Sequence, residues 1–541
     1  MTNFNYQIQT IHRSKTGLFS DVSNKISYQQ EEYFDFFSYP FNIENIEKQI
    51  KIKKSSFRNR SILLSVLSKK YENISTTEKV KNNILSLESE NTFTICTGHQ
   101  LCLLTGPLYF VIKILHTIQL CEVAKKHYPQ YNFVPIYWMA SEDHDFDEIS
   151  FLHLFKEKII WEKEVKNRPI SHLDNDGINE VIEKCEKLFS TIEGTFFNDL
   201  KHLFSSTNYS NSFFEFINVL FSNYGLVILD ANDKELKKSA LPLFEKEISL
   251  SFSNQCVKSQ NEELKKKSFS TPVHSREINL FFIENGIRYR IDKIAKNEYV
   301  LLNGKEIYQK FSKEELLNEI KLNPEKISPN VVLRPVYQEC ILPNLLYIGG
   351  SNEIQYWLQL KKVFEEIQIP YPLLQIRNSI LIIDKNTRKK IEKVGLEIND
   401  IFEKKENLIQ NIILKNSSTK LDFTTIRKDL NNLKNSISDT IEHYDAGLNS
   451  FKESEIHKIE KIVENIEQLL FKKEKSKHEN QIQQILDIKN RLFPENSLQE
   501  RFYNILHFCP NADVHSFLKF LYSEVINVLE NDLILCISKD E

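Results

Sequence analysis

Two stretches of this 541-residue chain carry side chains suited to chemistry. In TGHQLCLLTGPLYFVIKILHTIQL, Lys113 is the only formally charged residue between Glu90 and Glu122. Tyr109, Lys113 and His116 recur at intervals of four and three, which places them on one face of a helix. An ammonium is costly to bury without a partner, so Lys113 reads as a ligand-facing charge. The alternative is a buried helix whose polar stripe meets other polar atoms. The second stretch, WMASEDHDFDE, gathers Glu142, Asp143, His144, Asp145, Asp147 and Glu148. Carboxylates crowded around an imidazole can bind a metal, hold a substrate amine, or act as general acid and base. No second His or Cys stands at ligand spacing, which makes the metal signature weak. Asp147 and Glu148 also suit a helix start, where the dipole favours acids.

These residues need a scaffold that brings them together. The apolar run TFTIC ends at Thr97-Gly98, and Gly106-Pro107 opens a helix, with proline at a position it tolerates. The run FVPIYWMA is a second buried strand, and the acidic cluster emerges from its end. If the strands are parallel, Gly98, His99 and Gln100 share one sheet edge with Glu142, Asp143, His144 and Asp145. In open α/β sheets that edge is where ligands bind, and a helix N-terminus there attracts anions.

Three weaker candidates occupy similar positions. Asp230 closes the run GLVILD and suits a ribose, an ammonium or a helix cap. Arg334 and the turn Gly349-Gly350-Ser351-Asn352 precede helical runs, where the turn either cradles an anion or changes direction. Arg276, Arg288 and Arg290 lie on a β-rich segment and suit a carboxylate or phosphate. No P-loop, GxGxxG or GxSxG follows a strand. KKKSFS at Lys265–Ser270 superficially resembles the lysine-serine loop of class I synthetases and carries little weight in a lysine-rich chain.

Strand candidates at Thr92–Cys96, Phe133–Met139, Leu226–Leu229, Val331–Leu333 and Leu373–Ile376 alternate with helical stretches. The latter are Pro107–Lys126, Gly177–Leu188, Lys234–Phe252 and Asn352–Glu366. This alternation predicts an α/β fold with a parallel sheet. HSREINLFFIENGIRYRID, with Asn285-Gly286 at its centre, predicts an inserted β-hairpin near 273–302. The α/β core is expected over 1–380.

Beyond Pro372 no proline occurs until Pro494. In the interval Leu430, Leu433, Ile437, Ile441, Tyr444, Leu448 and Phe451, then Ile459, Ile462, Ile466 and Leu470, recur at helical spacing. Residues 381–493 therefore predict an antiparallel coiled coil, with turns at Asn416-Ser417-Ser418 and Lys475-Ser476-Lys477. A helical segment at 494–541 is expected to pack back on the core or the coil. Two arms pairing into a dimer and one arm folding on itself are both compatible with the pattern.

Seventy basic residues against 74 acidic ones, for a net charge of −4, give no electrostatic reason to expect nucleic acid or an anionic membrane. No run is apolar enough to cross a bilayer, and the N-terminus lacks the apolar core of a signal peptide. Eight scattered cysteines without a CxxC pair suit reduced thiols. A cytoplasmic protein is expected.

Taken together, TGHQLCLLTGPLYFVIK, PIYWMASEDHDFDEI, GLVILDAND, LRPVYQECILPNLLYIGGSNEIQYWLQLK and the helical C-terminal third resemble the cysteine-ligase family of bacillithiol biosynthesis. The resemblance spans essentially the whole chain, with its strongest motifs between Thr97 and Leu374. It implies a Rossmann-like core with connecting insertions, related in outline to class I synthetases, and a coiled-coil domain that mediates a homodimer. The implied activity joins the carboxyl group of cysteine to the glucosamine amine of glucosaminyl malate, the last step towards the thiol bacillithiol. Where many relatives read TGQQ, this chain has His99 before Gln100, which either restores a synthetase-like histidine or replaces an amide donor.

On that resemblance, Lys113, His99 and the helix N-terminus would stabilise a phosphate or carboxylate anion. Asp143, His144 or Asp145 would hold an ammonium and take its proton. The two malyl carboxylates would suit Arg334 or the hairpin arginines. ATP with magnesium is a chemically reasonable activator, although the chain has no nucleotide fingerprint. Two other classes stand beside the ligase. One is a metal-dependent amide hydrolase built on the acidic cluster, and the other is a non-catalytic scaffold whose coiled coil does the binding.

Overall fold

The computed structural model describes residues 4–28, 31–192, 194–206, 208–416, 423–444 and 448–539. They form two units, Met1–Ile382 with Ser497–Glu541, and Ile383–Asn496. The first begins with strand β1 (Tyr6–Ile11) and is built on a parallel sheet. That sheet comprises β2 (Thr92–His99), β3 (Asn132–Met139), β6 (Val227–Asp230), β12 (Asn344–Gly349) and β13 (Leu373–Ile376). Its spatial order is β13-β12-β2-β3-β6. Counted along the chain within this sheet, that is the 3-2-1-4-5 order of a Rossmann fold, whose strand order reverses between β2 and β12.

Every residue of β2 from Thr92 to Gly98 is buried, as expected of a central strand covered on both faces. Pro135 lies inside β3 without disrupting a ladder, because the pairing with β6 starts one residue later, at Ile136. The helix α1 (Tyr109–His127) follows β2 and buries Phe110, Ile114, Leu115 and Ile118 together with Lys113 and His116. It packs on β2 and β3.

Two antiparallel elements interrupt the sheet's connections. A short hairpin, β4 (Phe151–Leu154) and β5 (Glu157–Ile160), follows the acidic cluster. Next comes a sheet of β7 (Leu280–Glu284), β8 (Ile287–Ala295), β9 (Glu298–Asn303), β10 (Glu306–Ser312) and β11 (Ile327–Pro329), in order β10-β9-β8-β7-β11. Asn285 and Gly286 turn β7 into β8, both at positive φ.

Val331–Leu333 is a turn, not a strand. The Asn330 side chain accepts the amides of Val332 and Leu333, and Pro335 then opens a helix. The strand lies further on, at β12. The Lys234–Phe252 stretch is broken, with α2 (Lys234–Ser239) ending before a second helix that starts at Leu241 beside Pro242. The helices α3 (Arg334–Ile341) and α4 (Ser351–Leu358) flank β12. The C-terminal segment contains the helix Val514–Phe520 and also a strand, β15 (Leu533–Ser538). β15 pairs antiparallel with β1 and lies between it and β14 (Ser379–Ile383).

The second unit is helical: α5 (Lys405–Asn416), α6 (Thr424–Tyr444), α7 (Asn449–Lys477) and α8 (Glu479–Leu492). Glu442 pairs with Lys452, Lys434 with Glu460 and Arg427 with Glu467, so α6 and α7 run antiparallel. Ile409 and Ile413 of α5 bury against Ile482 of α8. The apolar series from Leu430 to Phe451 is divided between two helices. The break near Lys475–Lys477 falls at His478, and Ser417 and Ser418 lie outside the described residues. No helix among the described residues is long and apolar enough to cross a membrane.

Candidate functional site

β2 and β12 end side by side at Gly98 and Gly349, the point where the sheet order reverses. A cleft of about 710 Å³ opens there, a size suited to small molecules. Gly98, His99, Gln100, Tyr109, Glu142 and Asp143 line it, as do Arg334, Gly350, Ser351 and Asn352. Lys113, His116, His144, Asp145, Asp230 and Gly349 are not among its lining residues.

Lys113 lies beneath the floor, with its side chain 1% exposed. Its ammonium donates to the Gly98 carbonyl and to Glu353 Oε2, both at 2.7 Å. The same carboxylate oxygen accepts the Gly350 amide at 2.6 Å. Lys113 and Glu353 therefore tie the ends of β2 and β12 together. Burial raises the pKa of Glu353, but the Lys113 ammonium and the Gly350 amide outweigh it and leave it lowered. The helix start after the double glycine thus holds the protein's own anion.

His99 lies at the end of β2. Its Nδ1–H donates to the Gln100 carbonyl at 3.0 Å, and its Nε2 accepts the Tyr109 hydroxyl at 2.8 Å. Burial, with the nearby Lys113 charge, lowers its pKa to about 4, so it is neutral at pH 7. His116 is fully buried one turn beyond Lys113, and its Nδ1 accepts the Asn378 amide at 3.2 Å.

The acidic cluster divides by partner. Glu142 takes the buried ammonium of Lys237, from α2. Gln100 Nε2 donates to Asp143 Oδ2 at 2.7 Å and to Glu148 Oε2 at 2.9 Å, so one amide bridges two carboxylates. Burial raises the pKa of Asp143, but Arg288 and the hydrogen bonds to its carboxylate leave it lowered, hence ionised. Arg288, from β8, lies 3.8 Å from Asp143, donates to His144 Nδ1 at 3.1 Å, and stacks 4.1 Å from the Phe281 ring. Asp145 is exposed, at the start of the short helix Phe146–Ile149. Asp230 accepts the Ser141 hydroxyl at 2.6 Å and shapes the turn.

Arginines dominate the rest of the wall. Arg276 and Arg288 reach the cleft, whereas Arg290 pairs with Asp292. Arg334 donates to Gln338 and Tyr356 and lies 5.6 Å from the Tyr347 ring. Arg377 and Arg501 complete the wall. Arg377 is 3% exposed, pairs with Glu500 at 2.7 Å and lies 5.0 Å from the Tyr109 ring. The strand-end rule points to Arg377, immediately after β13. No local signal marks Arg501, which the C-terminal segment brings from far along the chain. Glu353 stands in the first turn of α4, where its carboxylate reads from sequence as an ordinary cap.

In a Rossmann fold a nucleotide's phosphates lie at the glycine turn and helix start. The residues here do not fit that role. The Gly350 amide is bonded to Glu353, and the Leu108 amide before α1 donates to the Tyr503 carbonyl at 2.8 Å. A phosphate brought to this turn would meet the Glu353 carboxylate. Among the described residues, no three His, Cys, Asp or Glu side chains are grouped to hold a metal ion.

Comparison with known proteins agrees with this architecture. Residues 6–378 match the model of the N-terminal Rossmann-like domain of bacillithiol biosynthesis BshC, and residues 380–529 match its C-terminal coiled-coil domain. A Flavobacterium johnsoniae protein named "Putative cysteine ligase BshC" is 40% identical over 502 residues, covering 91% of this chain and 93% of its own. Proteins of the same name are 38% identical in Flavobacterium psychrophilum, covering 91% and 92%, and 28% identical in Bacillus cereus, covering 93% and 95%. The solved tryptophanyl-tRNA synthetase of Plasmodium falciparum aligns over 88% of this chain and 99% of its own. Its 13% identity and TM-score of 0.22 are too low to bear on fold or function. With both domain models matched in order along nearly its whole length, the chain belongs to the BshC family of bacillithiol biosynthesis.

Proposed function

We propose that this chain is a cysteine ligase that joins the carboxyl group of cysteine to the glucosamine amine of glucosaminyl malate, the last step of bacillithiol formation. Family membership supports the reaction class. The observation that carries the reading is one cleft in which a carboxylate corner, Asp143 and Glu148 bridged by Gln100, faces a wall of arginines.

The amine arrives as an ammonium, and Asp143, held ionised beside Arg288, is suited to receive it. A carboxylate with a lowered pKa is a poor final proton acceptor. The exposed Glu148 carboxylate, which shares Gln100 with Asp143, offers the proton a route to solvent. The freed nitrogen pair forms the C–N bond at the carboxyl carbon, and the carboxyl oxygen departs with an activating group supplied by a co-substrate. The guanidinium groups of Arg276, Arg334, Arg377 and Arg501 suit the two malyl carboxylates, which planar donors recognise in bidentate fashion. A cytoplasmic setting is in keeping with eight cysteines that are all free.

The test is amide product formation from cysteine and glucosaminyl malate, with and without ATP and magnesium. Asp143→Asn is expected to lower kcat by about 10²-fold or more while leaving far-UV circular dichroism unchanged. Arg501→Met is expected to raise KM for glucosaminyl malate and not for cysteine. Absence of product from the intact protein under every condition overturns the reading.

The reading includes a homodimer through the helical unit. Ile426 and Leu433 on α6 and Ile462, Ile466 and Leu469 on α7 are exposed apolar side chains on antiparallel partners. Sedimentation should give a dimer, and Ile462→Glu with Ile466→Glu should give a monomer. A monomeric parent protein refutes this assembly.

A further inference from the structure

The eight residues between Gln100 and Tyr109 make the most strained turn near the cleft. Leu104 has φ 45° and ψ 49°, Thr105 has φ 77°, and Gly106 has φ 61° with ψ −145°. The first two are positions that favour glycine, and threonine is β-branched, so the backbone does not hold this shape unaided. At Gly106 a Cβ would fall 2.6 Å from that of Cys102, so only glycine fits there.

Asn504 supplies the support from the C-terminal segment. Its side chain is fully buried. Nδ2 donates to the Leu104 carbonyl at 2.7 Å and the Gly106 carbonyl at 2.8 Å, and lies 3.5 Å from Thr105 Oγ1. Its Oδ1 accepts the Leu506 amide at 3.0 Å, and its own amide donates to the His153 carbonyl at 2.9 Å. Both amide protons are thus spent on the two carbonyls flanking the strained residue. The neighbouring Tyr503 carbonyl takes the Leu108 amide, and the Tyr209 hydroxyl holds the Leu101 carbonyl at 2.9 Å. The turn is fixed at both ends and in the middle.

Those ends are functional. Gln100 bridges the two carboxylates, and Tyr109 donates to His99 across the loop. We propose that Asn504 is a positioning residue of this site, clamping residues 104–106 so that Gln100 and Tyr109 hold their places on the cleft wall. For its effect on turnover, this rests on the ligase reading.

Two variants separate positioning from general stability. Thr105→Gly keeps both Asn504 bonds to the backbone and removes the strained side chain, so it should leave unfolding unchanged or slightly later. With the clamp in place, kcat and KM for cysteine should both stay within about twofold of the parent's. Asn504→Ala releases the turn and should lower kcat about 10²-fold with KM for cysteine held within about twofold, because small misplacements cost rate more than binding. Hydrogen exchange across residues 101–109 should accelerate in Asn504→Ala and stay near the parent's rate in Thr105→Gly. An Asn504→Ala protein with the parent's kcat or exchange overturns the clamp, as does failure of Thr105→Gly, added to Asn504→Ala, to recover any of the lost rate, since glycine takes the positive φ unaided. If the parent protein itself shows no turnover, the ligase reading fails, and exchange alone decides the clamp.

Discussion

Lys113 with Glu353 and Lys434 with Glu460 are the same ionic pair in two settings. In the sheet unit the lysine side chain is 1% exposed and the carboxylate 28%, and each group makes a further bond to the backbone at a strand end. In the helical unit both members are about one-third exposed. The first pair must offset the lysine's lost hydration shell and most of the carboxylate's, so its remaining bonds and geometry are fixed; the second gains and loses little. The contrast recurs, with Lys53–Glu339 and Arg377–Glu500 nearly inaccessible in the sheet unit and Arg427–Glu467 open on the helices. Charge pairs position the cleft in one unit. In the other they record which way the helices run.

The largest effect expected from this contrast is in Lys113→Met. It leaves the partly buried Glu353 carboxylate without its cation and the Gly98 carbonyl without its donor, and should cost roughly 2 kcal/mol or more. All three tryptophans lie in the sheet unit, so fluorescence-detected urea unfolding isolates it. Adding Glu353→Gln should recover much of the loss. If Lys113→Met unfolds with the parent, the two pairs do not differ as described.

Acid sensitivity comes next in size. His99 and His116 have pKa values lowered by burial to about 4, below the ordinary value near 6.5. The folded state therefore binds fewer protons. Stability should be independent of these groups above pH 6.5 and fall as pH drops from there towards 4. His116→Gln should flatten that fall by the equivalent of one proton. An unchanged slope in the urea midpoint would show that His116 charges freely in the fold. The smallest effect belongs to Lys434→Ala, which should leave the thermal melt followed by circular dichroism where it was.

The parallel sheet and helical arm were legible because their signals are local. Buried strands read as apolar runs, and helices repeat every three or four residues. Gly98, Gln100, Tyr109 and Asp143 reach the cleft because the strand-end rule needs only a strand and its successor. Lys113 shows where composition alone misleads. Its isolation correctly marks a strong constraint, but the partner that neutralises it is 240 residues away on another strand's helix. Val331–Leu333 looked like a strand because β-branched and leucine residues adjoin, while the Asn330 side chain had already committed the backbone to a turn. Arg501 and Asn504 come from a segment with no motif, and only tertiary contact gives them meaning.

The pairing of β1 with β15 sets a timetable. Tyr6 faces Ser538, so β1 is completed by a strand made more than five hundred residues later. At 5–20 residues per second, synthesis leaves β1 waiting roughly half a minute to nearly two minutes for its partner. An unpaired strand edge is a template for aggregation during that wait. Arg501 and Asn504 emerge in the same late interval, so the cleft wall and its clamped turn are finished only as the sheet edge is sealed. A stalled or truncated chain would carry the sheet, the acidic corner and the helical arm without a finished site.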